Sequence, residues 1–318
     1  MPRTILIDTD TASDDAVALI MALRSPAVRV AAITTVAGNV PVEQATRNAL
    51  YTVELCGAST PVFMGCGEPL TRSLEDATWF HGQDGLGDQG YPPPNRSAEA
   101  MHAVEAMIET VRANPGIELV TLGPLTNVAM ALKRAPALIA NVGRCLIMGG
   151  NPCCVGNVTP AAEYNMWVDP DAARIVVRSG LPIELVGWQL CRGDAVLSAR
   201  DIEQARALGT ATAKFAIDCN ATAQAAFLRQ TGEVGISLPD PVAMSVALDS
   251  TIALEASDHH IDVEASSELT RGMTVIDQLN AATNARNRHT WALTKPARVI
   301  WKIDVARWKA ALFSALAA

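Results

Sequence analysis

Five short apolar runs, at residues 4–7, 29–35, 118–122, 144–148 and 183–186, each lead through a turn into an amphipathic stretch. Continuous apolar runs of this kind read as strands buried on both faces, and their alternation with helical patterns is the βαβ rhythm of a parallel sheet. Helices are expected to begin at Asp14, Val42, Ala98, Thr126, Asp171 and Ala199, several of them behind a Ser, Asp or Pro that suits a first turn. Beyond residue 195 the pattern turns helical to about residue 248, and further strands are expected at 260–264, 273–276 and 299–303 before a closing amphipathic helix over 304–312. The expected fold is α/β, with a mainly parallel central sheet flanked by helices. No shift in composition marks a second domain, so residues 1–318 are expected to form one.

A chain of 318 residues that is 49% hydrophobic and 18% charged can bury a core of that size. Its net charge of −8 provides no basic footprint for nucleic acid or for an acidic membrane surface, which leaves a small molecule as the expected partner. The seven cysteines are odd in number and contain no CxxC pair suited to zinc, which favours a reducing compartment. The N-terminal MPRTILIDTD lacks the apolar run of a signal peptide, and no stretch reaches the roughly 18 apolar residues that span a bilayer. A cytoplasmic protein is expected.

In open α/β sheets ligands bind beyond the carboxyl ends of the strands. The segments there are 8–15, 38–39, 122–123 and 149–157, all polar or glycine-rich. The first is the most demanding, because Asp8, Asp10, Asp14 and Asp15 fall within eight residues directly after the apolar Ile5-Leu6-Ile7. Clustered buried carboxylates must protonate, pair or bind a cation. The next fifteen residues hold only Arg24 and Arg29 as basic partners, so a hard divalent cation is the simpler answer. Oxygen-only ligation favours calcium or magnesium over zinc. Asp14 and Asp15 also suit a helix N-terminus, but capping does not explain Asp8 and Asp10 at the end of a buried strand. An EF-hand is excluded, since the run lacks a glycine at loop position six and a glutamate at position twelve.

The run ILIDTDTASDDAVAL at 5–19 resembles the DxDxxxDD signature that opens the inosine-uridine preferring nucleoside hydrolase family. The likeness continues through VAGNV around Asn39, HGQDGLG at 81–87, LVTLGPLTNVAMAL at 119–132, GNVTPAAEYNMWVDPDAA at 156–173, the Asp-Pro at 240–241 and ELTRGMTVID at 268–277. It implies a nucleoside hydrolase fold with a Rossmann-like core, and calcium-dependent cleavage of a ribonucleoside into ribose and free base. Calcium would be held by Asp10, Asp15, Asp240 and the main-chain carbonyl of Leu122, with Asp10 also acting as the base for the metal-bound water. Asp14, Asn39, Asn157, Glu163 and Asn165 would contact the ribose, and Asp8 would support them. Family members are usually dimers or tetramers, which implies a homo-oligomer.

The chain departs from its relatives where they commonly carry His-Asp and it has Pro239-Asp240. Proline cannot protonate a leaving base. Three outcomes follow: His81 or Arg229 supplies the proton; Trp79 and Trp188 activate the base by stacking while solvent protonates it; or ordinary nucleosides are poor substrates and another ribosyl compound is preferred. Phe227 falls where relatives place an aromatic over the base, although a lone Phe at helical spacing is more often core. Cys153, Cys154 and Cys191, near strand-end loops, are read as packing residues. Two rival functions remain at this level. One is a haloacid-dehalogenase-like phosphatase, whose downstream lysine and second acidic pair are not found in order. The other is a ribosyl-ligand binding protein without turnover, motivated by Pro239.

Overall fold

The computed structural model describes residues 2–318. Its frame is one nine-stranded sheet made of β1 (Arg3–Thr9), β2 (Val28–Thr35), β3 (Val62–Met64), β4 (Ile117–Thr121), β5 (Val142–Met148), β6 (Ile183–Val186), β7 (Ala253–Val263), β8 (Thr274–Ile276) and β9 (Pro296–Ile303). The strands lie in the order β3-β2-β1-β4-β5-β6-β9-β7-β8. Every pair from β3 to β9 is parallel; β7 runs antiparallel to both β9 and β8. The expected mainly parallel sheet is therefore present, with helices on both faces.

Alternation along β1 shows how the sheet divides the core. Ile5 and Ile7 belong to one buried cluster, and Leu6 belongs to the cluster on the opposite face. The helix Ser13–Leu23 follows at once, and ten of its residues, Ser13 to Ala22, are buried. A helix that is apolar all round belongs inside a protein rather than on its surface. Here it packs against both the sheet and the helix Pro239–Leu248, which itself touches the sheet at β5.

The structure departs from expectation at four points. The helix placed at Ala98 starts at Ala103, because Glu99 first bridges to Phe63 and the His102 ring then accepts from the Val104 amide as N-cap. The strand β3 has only three residues, too few to register as a period. β7 begins at Ala253 rather than 260, since its polar first half, with Glu255, Ser257 and Asp258, faces solvent and does not alternate in hydropathy. The closing helix runs Val305–Ala317, with Trp308, Leu312 and Leu316 buried at a four-residue spacing and Asp304 capping its start.

The connections leave β1 in opposite directions. β2 and β3 extend the sheet to one side of β1, while β4, β5 and β6 extend it to the other. The boundary between β1 and β4 is thus a switch point, where the loops after two neighbouring strands part and open a crevice. The acidic segment leaves β1 at that boundary, and Leu122-Gly123 leaves β4.

Candidate active site

Asp8, Asp10 and Asp15 are fully buried, and Asp14 and Asp240 nearly so, at 7% and 3% exposure. Asp240 arrives from far along the chain because the helix Pro239–Leu248 sets its N-terminus beside that of Ser13–Leu23. Pro239 occupies the first helical position, where a missing N–H costs nothing. Arg3 and Arg144 hold the other end of this helix, donating to the carbonyls of Val246, Ala247 and Leu248 at 2.7–3.2 Å. Proline at 239 therefore serves the helix that presents Asp240.

Carboxylate oxygens of Asp14, Asp15 and Asp240 lie within 4.8 Å of one another. Asp15 accepts from Thr9 Oγ1 at 2.6 Å and from the Ala12 amide at 2.9 Å, which fixes its rotamer. Asp10 accepts from the Asn39 amide at 2.6 Å through one oxygen, while its other oxygen has no partner. Asp14 Oδ1 is also unpartnered. Asp8 accepts from Thr34 and Asn127 at 2.6 and 2.8 Å, and so acts as a strut beneath the loop. Two glycines make room: a Cβ on Gly38 would stand 2.1 Å from Asp10 Oδ2, and one on Gly123 would stand 2.6 Å from Asp10 Oδ1. A side chain at either position would displace Asp10.

Burial pushes the Asp8 carboxyl up to about 7, against the pull of its Asn127 and Thr34 hydrogen bonds. Burial and then the Asp15 charge push Asp14 up to about 7. Asp10 and Asp240 are held well above the carboxylate range, by burial first and then by neighbouring carboxylates. Among the described residues no Lys or Arg lies within ion-pair distance of the five. The nearest cation candidate, His81 Nδ1, is 3.9 Å from Asp14 Oδ1, and burial lowers that imidazole to about 3, which keeps it neutral. Five buried acids without a counter-charge, three of them (Asp8, Asp10 and Asp14) with an unpartnered oxygen, suit a hard divalent cation bound through oxygen.

The cluster opens into a cleft that mixes polar groups with aromatic and apolar side chains, the make-up of a small-molecule site. Asp14, Asn39, Leu122, Asn157, Glu163, Asn165, Asp240, His81, Trp79 and Trp188 all line it; Asp10 and Asp15 lie below its surface. The short helix Tyr164–Val168 builds one wall. Glu163 caps it, accepting from the Asn165 amide at 3.0 Å and the Gly150 amide at 2.8 Å, and burial raises its carboxyl to about 7. Asn165 Nδ2 donates to the Leu122 carbonyl at 2.8 Å, which ties this wall to the carbonyl expected to serve the ion. Trp79 is 54% exposed at the mouth, whereas Trp188 is buried in the wall.

Two residues are not brought to the cleft. Phe227 is fully buried behind Trp188, edge-on with ring centroids 6.3 Å apart, so the core reading holds and it does not cover a base. Arg229 is exposed and does not line the cleft. Both belong to the helix Ala221–Thr231, whose 3.6-residue turn directs Ala223 and Gln230 into the cleft and Arg229 to solvent. Arg229 is withdrawn as a proton source. Gln230, Ser237, Asn220 and Tyr164 line the cleft without having been anticipated. Tyr164 carried only the aromatic signal of a core residue, yet its hydroxyl reaches the Gly38 carbonyl at 2.7 Å and so braces the loop against Asp10.

A doubly wound sheet with an acidic, cation-suited cluster at its switch point, facing a wall of amide and carboxylate groups, defines a hydrolase site for a polyhydroxylated ligand. The chain belongs to the inosine-uridine preferring nucleoside hydrolase family, whose model matches residues 5–310. It is 39% identical over 285 residues to a pyrimidine-specific ribonucleoside hydrolase of Shewanella, covering 87% of both chains. It is 34% identical over 281 residues to an inosine-uridine preferring nucleoside hydrolase of Leishmania major, covering 87% of this chain and 88% of that one. A solved plant nucleoside hydrolase superposes with a TM-score of 0.94 at 31% identity over the full length of both chains. A purine-preferring ribonucleoside hydrolase of Gardnerella vaginalis superposes with a TM-score of 0.88 at 31% identity, covering 99% of this chain and 98% of that one. Relatives named for opposite base preferences are both matched over most of the chain, so the overall likeness does not choose a base. No helix among the described residues is long and apolar enough to cross a membrane.

The raised carboxyls have a thermodynamic consequence in metal-free protein. An acid whose folded pKa exceeds its unfolded value stabilises the fold below the unfolded pKa and loses that contribution as pH rises through the folded one. For Asp8, Asp14 and Glu163 the window runs from about 4 to about 7. Chelated protein is expected to melt at a higher temperature at pH 5 than at pH 8, and calcium is expected to narrow that gap. Equal melting temperatures in chelator at both pH values would contradict the reading of an uncompensated cluster.

Proposed function

We propose that the chain hydrolyses the N-glycosidic bond of ribonucleosides to ribose and free nucleobase, with Asp10 taking the proton from the attacking water. The observation that carries this reading is the unpartnered, fully buried Asp10 Oδ1 beside a cleft walled by amide and carboxylate groups. Asp10, Asp15, Asp240 and the Leu122 carbonyl would hold calcium, with Asp14 completing the carboxylate trio or serving a ribose hydroxyl. When bound, the cation offsets the carboxylate charge and lowers the pKa of a water placed against it. Asp10 is held by the Asn39 amide, so its second oxygen is pre-aimed rather than free to rotate. The carboxylates also face the positive charge that develops at C1′ as the bond to the base breaks.

Asp14, Asn39, Asn157, Glu163 and Asn165 are proposed to bind the ribose hydroxyls. A substrate lacking one hydroxyl would leave such buried partners unpaired, at about 1–3 kcal/mol each. Turnover of 2′-deoxyribonucleosides is expected to be lower than that of ribonucleosides by at least about tenfold in kcat/KM. Equal values would remove this wall from sugar recognition. The reading extends to one catalytic domain acting as a cytoplasmic homodimer or homotetramer, in keeping with the family resemblance and with seven free cysteines.

A reducing-sugar assay over purine and pyrimidine nucleosides tests the proposal. Release of ribose with stoichiometric free base is the expected result. Tight nucleoside binding without ribose release would establish the binding-protein reading instead, and phosphate release from a phosphomonoester the phosphatase reading.

A further inference from the structure

Asp10 accounts for the attacking water, but the departing base also needs a partner, and Pro239 offers none. His81 ends the short helix Thr78–His81 and lines the cleft while only 7% exposed. Its Nδ1 lies 2.8 Å from Ser13 Oγ, a contact between residues 68 positions apart. Ser13 is fully buried, and among the described residues its hydroxyl has no other partner. Two arrangements of protons are conceivable. If Nδ1 carried the proton, Ser13 Oγ would accept it and the hydroxyl hydrogen would be left with no acceptor in a buried site, which is costly. If the hydroxyl donates to Nδ1, both groups are satisfied and the ring proton resides on Nε2. Asp14 Oδ1, at 3.9 Å from Nδ1, is beyond hydrogen-bond range and does not compete for that position.

We propose that Ser13 is a positioning residue that fixes His81 as its Nε2–H tautomer, so that the imidazole presents a hydrogen-bond donor to the nucleobase as it leaves. The inference rests on the hydrolase reading above. In the step, the water oxygen bonds to C1′ while the C1′–N bond breaks and its electron pair passes to the base nitrogen. Asp10 takes one proton of the water. His81 keeps its own proton, stabilising negative charge on the base through the hydrogen bond, and the base gains a proton from solvent. A hydrogen bond of this kind costs no reorganisation at the moment of bond cleavage, because Ser13 already sets the donor in place.

Two measurements test it. The tautomer is read directly by 15N–1H correlation spectra of histidine-labelled wild-type protein, with His81→Gln supplying the assignment; a protonated Nε2 and a bare, hydrogen-bonded Nδ1 are expected. Kinetics of Ser13→Ala are then compared on uridine or inosine and on p-nitrophenyl β-D-riboside, whose aryl oxide leaves without help. The variant is expected to lose at least about tenfold in kcat on the nucleosides, with KM little changed, and to keep its rate on the nitrophenyl riboside within about twofold. An Nδ1–H tautomer in the wild type, or equal losses on both substrates, overturns the proposal. A wild-type protein that cleaves neither riboside overturns the hydrolase reading instead, and the spectra still decide the role of Ser13 toward His81.

Discussion

Asparagine at position 10 is expected to lower kcat by about 10³-fold or more while leaving the fold intact. A positioned general base contributes about 10²–10⁴-fold by itself, and weakening the cation site adds to the loss. The substitution is nearly isosteric, and the new side-chain oxygen can still accept from the Asn39 amide that now binds Asp10 at 2.6 Å. It also removes one charge from a cluster with no counter-charge among the described residues, so metal-free Asp10→Asn should melt no lower than metal-free wild type. Near-normal turnover would exclude Asp10 as the base. A collapsed melting temperature would show that its carboxylate is needed for folding instead.

The second large effect concerns Asp240, where two opposite shifts are expected from one substitution. In chelator, Asp240→Asn should match or exceed the stability of the wild type, because a buried like charge beside Asp14 and Asp15 is removed. With calcium at a hundred times its Kd, linkage stabilises the wild type by about 2.7 kcal/mol, which for a chain of 318 residues amounts to about 4 °C. The variant should show little of that rise and should lose about 10²-fold or more in kcat/KM. A full calcium-induced rise in Asp240→Asn would remove this residue from the ion's coordination.

The sheet was legible because its parallel strands are buried on both faces and therefore spell continuous apolar runs, as in Ile5-Leu6-Ile7. β7 was half hidden, since an edge region facing solvent on one side carries no such run. The acidic loop after β1 stood out on electrostatics: four carboxylates within eight residues behind a buried strand must protonate, pair or bind a cation, and few basic residues lie near in sequence. Asp240 was different. An aspartate in the first turn of a helix looks like ordinary capping, and only the resemblance singled it out; its place beside Asp14 comes from the packing of two helices remote in sequence. Arg229 was misassigned for a similar reason, because a linear motif says that a residue is near the cleft but not which way its helix turns. The contact between Ser13 and His81 left no sequence signal at all, as it depends on a loop folding back across 68 positions.

On the proposed mechanism this acidic cluster, charged with a divalent cation, cleaves a ribosyl bond. The most direct measurement is ribose release from uridine and inosine by chelator-treated wild-type protein as calcium is restored. Negligible release in chelator is expected, with turnover rising to saturation along the same calcium dependence as the melting temperature. Ribose release that is unaffected by chelator, or a calcium-stabilised protein that releases none, would contradict it.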